Sequence, residues 1–108
     1  MTKDITRGGL AEALLSRTPP IVLEALPRKY FDAGHIPTAR ALPLDELERI
    51  VPAVAADPDA AIVVYCASAT CHNSHQAAKR LAELGYSNVA VYAAGKQDWN
   101  EAGLRLEI

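Results

Sequence analysis

The sequence predicts an α/β fold, with a parallel sheet covered by helices on both faces, and three observations predict it. Short apolar runs alternate along the chain with stretches of helical spacing, which is typical of consecutive β-α-β units. The clearest runs, 21–23 and 61–65, are apolar at successive positions, as in strands buried on both faces of a sheet. The chain has 108 residues, half of them hydrophobic, so a single domain over residues 1–108 is expected.

The first predicted elements are a short strand over residues 3–5 and a helix that follows it directly. Thr6 is expected to cap this helix, which reaches about residue 16. Its inner face is apolar at helical spacing: Leu10, Leu14 and Leu15. Two prolines at 19 and 20 then end the helix, and the apolar run 21–23 forms the second strand.

The middle of the chain is less regular. Residues 27–37 are expected to be irregular because two prolines and Gly34 punctuate them, and 39–42 form a short strand. Asp45 is expected to cap the next helix, which Pro52 divides. The apolar positions of that helix are Leu44, Leu47, Val51 and Val54.

The last third of the chain carries the strongest signals. After a turn at 57–59, residues 61–65 are the best strand in the sequence, and 73–84 are the best helix. Gly85 is expected to end that helix, whose inward positions are Ala77, Leu81 and Leu84. A final strand over 88–92 and a short helix over 96–102 complete the domain.

Composition and charge exclude several classes of function. The net charge is -2 and no basic stripe is present, so we expect no nucleic-acid partner. The apolar runs are too short to span a membrane. The first nine residues, MTKDITRGG, lack the apolar core of a signal peptide. We therefore expect a cytoplasmic protein, in a compartment that keeps its two cysteines reduced.

The most informative segment is the loop after the strongest strand. In a parallel sheet, ligands bind where the strands end, and Cys66 stands directly at such an end. The residues that follow before Cys71 are all small, which lets the backbone curl and point several N–H groups at one spot. Together with the start of the next helix, that arrangement predicts a lowered pKa for the Cys66 thiol and hence a nucleophilic thiolate. The expected catalytic residue is Cys66, and the expected substrate-binding residues are Ala67, Ser68, Ala69, Thr70, Cys71 and His72.

Three stretches of the chain resemble single-domain rhodaneses, a family of sulfurtransferases. YFDAGHIPTARALPLDEL (30–47) resembles the GHIPGA segment of that family. IVVYCASATCHNSHQAAKRLAELGY (62–86) resembles its strand, cysteine loop and helix, and NVAVYAAGKQDWNEAGLRLE (88–107) resembles its closing strand, glycine turn and tryptophan. The resemblance implies a rhodanese-like, five-stranded parallel sheet and a persulfide on Cys66, with no cofactor and no metal.

The sequence departs from that family at several positions. Glu24-Ala25-Leu26 stands where the family has Asp-x-Arg, and Thr38 replaces the second glycine of GHIPGA. The loop is about two residues longer and lacks the usual arginine, so thiosulfate, a dianion, is expected to be a poor donor. The chain resembles a subgroup with a second cysteine five positions after the first. Cys71 is therefore either a resolving thiol or a small packing residue.

Several residues admit more than one interpretation. Cys66, Cys71, His72 and His75 are possible zinc ligands, but four ligands within ten residues would strain the loop. A tyrosine-phosphatase site is disfavoured because His72 stands where that chemistry requires arginine.

Other side chains near this edge are assigned as follows. His35 is expected to anchor a turn, and His75 to face solvent. Tyr92 and Trp99 are expected to close the core. Three basic residues lie by topology on the active edge and are either solvated or the source of the missing positive charge: Arg28, Lys29 and Lys96.

The leading hypothesis is a sulfurtransferase in which Cys66 accepts sulfur from a small-molecule donor and passes it to a thiol or cyanide acceptor. A protein is another possible acceptor. The alternative is a non-enzymatic rhodanese module that acts as a persulfide or redox sensor, or as a partner-binding domain.

Overall fold

The apolar runs of the sequence form the centre of a five-stranded parallel sheet in the computed structural model, which describes residues 3–108. Strand β4 (Ile62–Tyr65) is buried at all four positions and pairs with β2 (Ile21–Glu24) on one side and β5 (Val89–Tyr92) on the other. The two-residue strands β1 (Lys3–Asp4) and β3 (Arg40–Ala41) lie at the edges. The order is β1-β5-β4-β2-β3, and the predicted α/β fold with a parallel sheet is confirmed.

Within residues 3–108, four α-helices connect these strands and a fifth follows the last strand. They are α1 (Arg7–Leu14), α2 (Arg28–Ala33), α3 (Leu47–Val54), α4 (Asn73–Glu83) and α5 (Gly95–Glu101). A 3-10 turn, Leu44–Glu46, leads into α3. No helix within residues 3–108 is long and apolar enough to cross a membrane.

The helices cover both faces of the sheet, as predicted. On one face, Leu47 of α3 and Leu81 of α4 pack with Val64 of β4 in one buried cluster. On the other face, Leu10 of α1 and Trp99 of α5 pack in a second cluster. Burial of apolar side chains against both faces is the main stabilising contribution in such a domain.

The register of the central strands brings their carboxyl ends to one edge. Glu24, Tyr65 and Tyr92 lie side by side as the last residues of β2, β4 and β5. The next residue of the middle strand is Cys66, so the cysteine loop leaves the sheet at the centre of this edge. A backbone hydrogen bond of 2.8 Å from the Ala25 amide to the Tyr65 carbonyl extends the pairing of β2 and β4 past the ends of both strands.

One segment predicted to be irregular is a helix. Residues Arg28–Ala33 form α2, which begins after Pro27 and ends at Gly34. The prediction of irregular structure was wrong here because proline and glycine at the two ends delimit a short helix instead of disrupting it. Asp45 was also expected to cap α3, but it lies inside the 3-10 turn, and α3 continues through Pro52 to Val54.

Helix ends explain the two apolar residues that were wrongly assigned to the core. Leu15 is 88% exposed and Leu84 is 47% exposed. Each is the residue that follows the last helical residue of α1 or α4, where the chain turns away from the sheet. The predicted caps are confirmed: Thr6 Oγ1 accepts a hydrogen bond of 3.0 Å from the Gly9 amide, and Gly85 has a left-handed φ of 100°.

Candidate active site

The first half of the cysteine loop is held by the start of α5. The Lys96 amide donates a hydrogen bond of 2.9 Å to the Cys66 carbonyl, and the Gln97 amide donates one of 2.9 Å to the Ala67 carbonyl. These are amides of the first helical turn, which have no partner inside the helix. The loop carbonyls therefore accept the hydrogen bonds of the free amides at the start of α5. In return, these bonds fix the position of Cys66.

Gly95 is required at the point where the loop and α5 meet. Its φ is 78°, in the left-handed region that favours glycine. A Cβ atom there would lie 2.7 Å from the Ser68 backbone nitrogen and 2.8 Å from the Cys66 carbonyl oxygen. Backbone atoms on both sides leave no room for a side chain, so the close approach depends on glycine.

The Cys66 thiol is buried at the base of the loop. The residue is 1% exposed, and its Sγ lies 3.4 Å from both the Cys71 carbonyl oxygen and Ser74 Oγ, where its S–H can donate. Burial raises the pKa of the Cys66 thiol, and the neighbouring Cys71 adds to that effect. Hydrogen bonds from Ser74 oppose it without reversing it. The predicted lowering of this pKa was wrong, because the loss of hydration outweighs the few donors that reach the sulfur.

Cys71 lies beside Cys66, and its pKa is shifted in the opposite direction. Burial disfavours the Cys71 thiolate, but hydrogen bonds from the Cys66 thiol and from the Ala67 and Asn73 amides outweigh it, so its pKa lies below the ordinary value. Cys71 is also partly exposed, whereas Cys66 is buried. The curled backbone that the sequence predicted for Cys66 thus directs amides at Cys71.

The second half of the loop is mostly open to solvent. Ser68 is half-buried, and Ala69, Thr70 and His72 are exposed. Its internal contacts are a hydrogen bond of 3.1 Å from the Cys71 amide to the Ser68 carbonyl and another of 3.1 Å between the Ser68 and Thr70 hydroxyls. The structure brings all six predicted substrate-binding residues into one loop, and their contact with substrate stays a prediction.

Two residues at the start of α4 belong to this site and were missed. Ser74 is fully buried and contacts Cys66 Sγ, and Asn73 donates a hydrogen bond of 3.0 Å to the Ala25 carbonyl at the end of β2. Ser74 shares a helix face with Ala77 and Leu81, both buried. A lone hydroxyl on an otherwise apolar helix face was the available signal.

A buried ion pair lies beneath the loop. Lys96 Nζ is 3.1 Å from Glu24 Oε1, which also accepts a hydrogen bond of 2.7 Å from the Tyr65 hydroxyl. The Glu24 side chain is fully buried, and its second oxygen, Oε2, is buried without a hydrogen-bond partner within residues 3–108. Burial and the Glu24 carboxylate raise the pKa of Tyr65, which stays protonated and donates.

Because its ammonium group is already paired, Lys96 is not free to bind a substrate anion. Its three N–H donors are directed at Glu24, at the Tyr30 carbonyl at 2.8 Å and at the Gly34 carbonyl at 2.7 Å. Arg28 lies 3.6 Å from Glu46, and Lys29 lies over the Tyr30 ring. The suggestion that these residues supply positive charge to the loop is therefore not supported for Lys96.

The remaining aromatic and histidine predictions concern the scaffold. Tyr92 and Trp99 are buried and packed edge to face at 6.3 Å, as predicted. His35 anchors its turn: the ring stacks on Phe31, Nδ1 donates to the Phe31 carbonyl at 3.0 Å, and the backbone pairs with Glu107. Thr38 has a φ of 72°, which is the backbone reason for a glycine at this position in GHIPGA.

Two further features bound what the site can bind. A cavity of about 380 Å³ lies beside the loop and is lined by Tyr30, Gly34, Ala67 and Lys96 among others, but not by Cys66. Within residues 3–108, no group of three or more His, Cys, Asp or Glu side chains is placed to hold a metal ion. His72 and His75 are both exposed on α4 or next to it.

The fold and site together define a small α/β domain in which a cysteine loop leaves the centre of a parallel sheet and leads into a helix. The Rhodanese-like domain family matches residues 9–102 of the 108-residue chain. The chain belongs to the rhodanese-like family.

Solved structures of other proteins have the same fold. A thiosulfate sulfurtransferase from Pseudomonas aeruginosa is 26% identical, with a TM-score of 0.85 over 98% of this chain and 20% of that one. This chain thus spans about a fifth of that protein's length. A rhodanese-related protein from Thermoplasma volcanium is 25% identical, with a TM-score of 0.79 over 97% of both chains.

A third structure, the Rhodanese_3-like domain of an Anabaena protein, is 25% identical, with a TM-score of 0.74 over 82% of this chain and 99% of that one. A search of curated proteins found no match. The comparisons therefore define the family and the fold of this chain.

Proposed function

We propose that this protein is a sulfurtransferase that carries sulfur as a persulfide on Cys66. The observation that carries the proposal is the position of Cys66 at the end of the central strand, with Ser74 Oγ 3.4 Å from its sulfur and α5 holding its backbone. The hydrogen bonds of Ser74, from its hydroxyl and its backbone amide, favour an anionic sulfur at Cys66 and so stabilise the anion that forms when a persulfide loses its proton. The likeness to a thiosulfate sulfurtransferase supports the same chemistry.

The charge of the site favours a donor other than thiosulfate. Loop residues 66–72 include no lysine or arginine, and the three donors of Lys96 are already directed at Glu24 and two carbonyls. A dianion in this loop would be held by neutral donors alone, without the bidentate ion pair that an arginine forms with an anion. A low-molecular-weight persulfide carries less charge and fits the loop better. The acceptor is a thiol, of a small molecule or of a protein, or cyanide.

The test is intact-mass analysis after exposure to a low-molecular-weight persulfide. The wild type is expected to gain the mass of one sulfur atom, and peptide mapping is expected to place it on Cys66 at the end of the reaction. Cys66→Ser is expected to lose any sulfur it gains to an added thiol acceptor faster than the wild type, because the shielded position that stores the sulfur is gone. If the sulfur stored by the wild type maps to another residue, Cys66 does not carry the sulfur.

Steady-state kinetics with two donors test the charge argument. The value of kcat/KM for thiosulfate is expected to be at least about tenfold lower than for a low-molecular-weight persulfide, because each tenfold factor needs only about 1.4 kcal/mol of lost transition-state binding. Equal efficiency with thiosulfate would show that a cation reaches the loop. Lys96→Met would then test whether that cation is Lys96.

A second candidate is a non-enzymatic module that senses persulfides or oxidants. The burial of Cys66 and its raised pKa favour it, because both slow the attack of this thiol on a donor. Catalytic turnover distinguishes the two: an enzyme consumes donor continuously in the presence of acceptor, whereas a sensor is modified once and stops. Both functions require free thiols and hence a reducing compartment, such as the cytoplasm.

A further inference from the structure

The two thiols of the loop differ in access. Cys66 is 1% exposed, and its sulfur contacts the Cys71 carbonyl and the Ser74 hydroxyl. Cys71 is partly exposed and follows three residues, 68–70, that have small side chains. Residue Cys71 is therefore more accessible to a donor from solvent than the buried Cys66.

The hydrogen bonds around the two sulfurs are also unequal. Cys66 is placed as a donor, with its S–H directed at the Cys71 carbonyl oxygen and the Ser74 hydroxyl, whereas the amides of Ala67 and Asn73 favour the thiolate of Cys71. Hydrogen bonds received by a sulfur favour its thiolate form, and the thiolate is the nucleophile. Access and hydrogen bonding thus select the same residue.

We infer that Cys71 is the receiving thiol, which takes sulfur from the donor and hands it to Cys66, the storing thiol. This inference rests on the proposed function and specifies the order of its steps. It reverses the order that the sequence suggests, in which Cys66 reacts first and Cys71 resolves it. It also gives the additional cysteine a catalytic role that the buried position of Cys66 makes necessary.

The first step is an attack of the Cys71 thiolate on the outer sulfur of a donor persulfide, R–S–SH. A bond forms between Cys71 Sγ and that sulfur, the S–S bond of the donor breaks, and RS⁻ leaves and takes a proton from solvent. The product is Cys71–S–SH. No net oxidation occurs, because one persulfide is consumed and one is formed.

The second step is internal. Cys66 Sγ attacks the outer sulfur of the Cys71 persulfide, and the S–S bond to Cys71 breaks. The proton of the Cys66 thiol passes to Cys71 Sγ, the leaving sulfur, as the S–S bond breaks. The result is a Cys66 persulfide shielded from solvent and a free Cys71 thiol, so atoms and electrons balance. Unloading to an acceptor thiol is the reverse of this route.

The experiment measures the rate of sulfur loading on each cysteine with cysteine persulfide as the probe. Samples of the full chain are quenched with excess alkylating agent and mapped by mass spectrometry. Cys71→Ala and Cys71→Ser are each expected to load Cys66 at least about tenfold more slowly than the wild type. Cys66→Ser is expected to accumulate sulfur on Cys71, because the second step then has no thiol to take it.

The Cys71→Ala variant separates a receiving thiol from a mere cover. Alanine removes the Cys71 thiol and opens space beside Cys66. If Cys71 only covers Cys66, loading is expected to be faster than in the wild type, whereas a receiving thiol predicts slower loading. Loading of Cys66 in Cys71→Ala at or above the wild-type rate would overturn the inference. His75→Ala, an exposed change one turn along α4, is the control and is expected to load normally.

Alkylation of the unmodified wild type by iodoacetamide provides a test that needs no variant. Cys71 is expected to be labelled before Cys66, and its labelling is expected to persist at pH values below the ordinary thiol pKa, as the direction of its shift requires. Labelling of Cys66 first would contradict the inference. If neither cysteine of the wild type gains sulfur from the probe, the proposed function fails as well, which is a different result from fast loading of Cys66 without Cys71.

Discussion

The two halves of the cysteine loop are built differently. Cys66 and Ala67 form the anchored half, whose carbonyls accept hydrogen bonds of 2.9 Å from the start of α5. Residues 68–72 form the open half, which is mostly exposed and contacts chiefly itself. One thiol is therefore fixed by the scaffold, whereas the other lies in a segment that is open to solvent. A reaction that stores sulfur in one place and exchanges it in another requires such a pair.

The anchored half depends in turn on the charges beneath it. Lys96 contributes its backbone amide to Cys66 and its side chain to Glu24, which accepts from Tyr65 as well. A single residue thus ties the loop, α5 and the ends of β2 and β4 together. Substitutions in the anchored half should therefore lower the free energy of unfolding more than substitutions in the open half.

Lys96→Met is expected to have the largest effect, a loss of about 3 kcal/mol or more in the free energy of unfolding. Removing one member of a buried ion pair leaves the other charge without compensation, which is far more costly than losing an exposed pair. The fully buried Glu24 already has one oxygen without a partner. Chemical denaturation monitored by circular dichroism measures the change.

The matched control for Lys96→Met is Arg7→Met, which removes the exposed pair with Asp98 and should cost no more than about 1 kcal/mol. Combining Lys96→Met with Glu24→Gln should recover part of the loss, since no charge is then left buried. Equal costs for Lys96→Met and Arg7→Met would show that the ion pair does not support the anchored half.

Gly95→Ala is expected to cause the second-largest loss in the free energy of unfolding. Gly103→Ala is its control, because the two glycines have φ values of 78° and 80°, but a Cβ atom on Gly103 meets nothing within 4 Å. The control should cost about 1 kcal/mol for the left-handed conformation alone. Gly95→Ala should cost roughly 2 kcal/mol more, because its Cβ overlaps the loop backbone, and should also slow sulfur transfer. Similar costs in the two variants would mean that the loop can withdraw from α5 freely.

Much of this architecture could be predicted from the sequence. The runs at 21–23 and 61–65 lie in buried strands, and Gly85 lies where the best helix ends. Hydrophobic periodicity and the positions of glycine and proline are local properties of the sequence, so they can be recognised without a structure. The same residues led to a wrong prediction of irregular structure at Arg28–Ala33, because proline and glycine delimit a short helix as readily as a loop.

The site could be predicted only in part, and the reason is tertiary. Cys66 and Cys71 stand out by position and spacing, but their pKa directions depend on how deeply each is buried. The partners of Glu24 lie 41 and 72 residues along the chain, at Tyr65 and Lys96. A carboxylate at the end of an apolar strand signals a buried partner without saying which residue provides it.

The wild type is expected to form a Cys66–Cys71 disulfide when it is loaded with sulfur and left without an acceptor thiol. The Cys71 thiolate attacks the inner sulfur of the Cys66 persulfide, the S–S bond breaks, and sulfide leaves. Mass spectrometry should then show a loss of two protons relative to the starting protein, together with released sulfide. Cys71→Ser, once loaded, should hold its Cys66 persulfide for longer. An unchanged lifetime and no disulfide would leave Cys71 without a resolving role and would confine it to exchange at the outer sulfur.

Thr70→Ala is expected to have the smallest effect, within about 0.5 kcal/mol of the wild-type free energy of unfolding. Thr70 is exposed, and within the described part of the chain its hydroxyl bonds only that of Ser68, at 3.1 Å. Water replaces the lost partner in the variant. Thr70→Ser keeps the hydroxyl and should be indistinguishable from the wild type in the same denaturation experiment. If Thr70→Ala costs as much as Gly95→Ala, the open half is anchored after all. Cys71 would then be held as firmly as Cys66, and access alone would have to distinguish the two thiols.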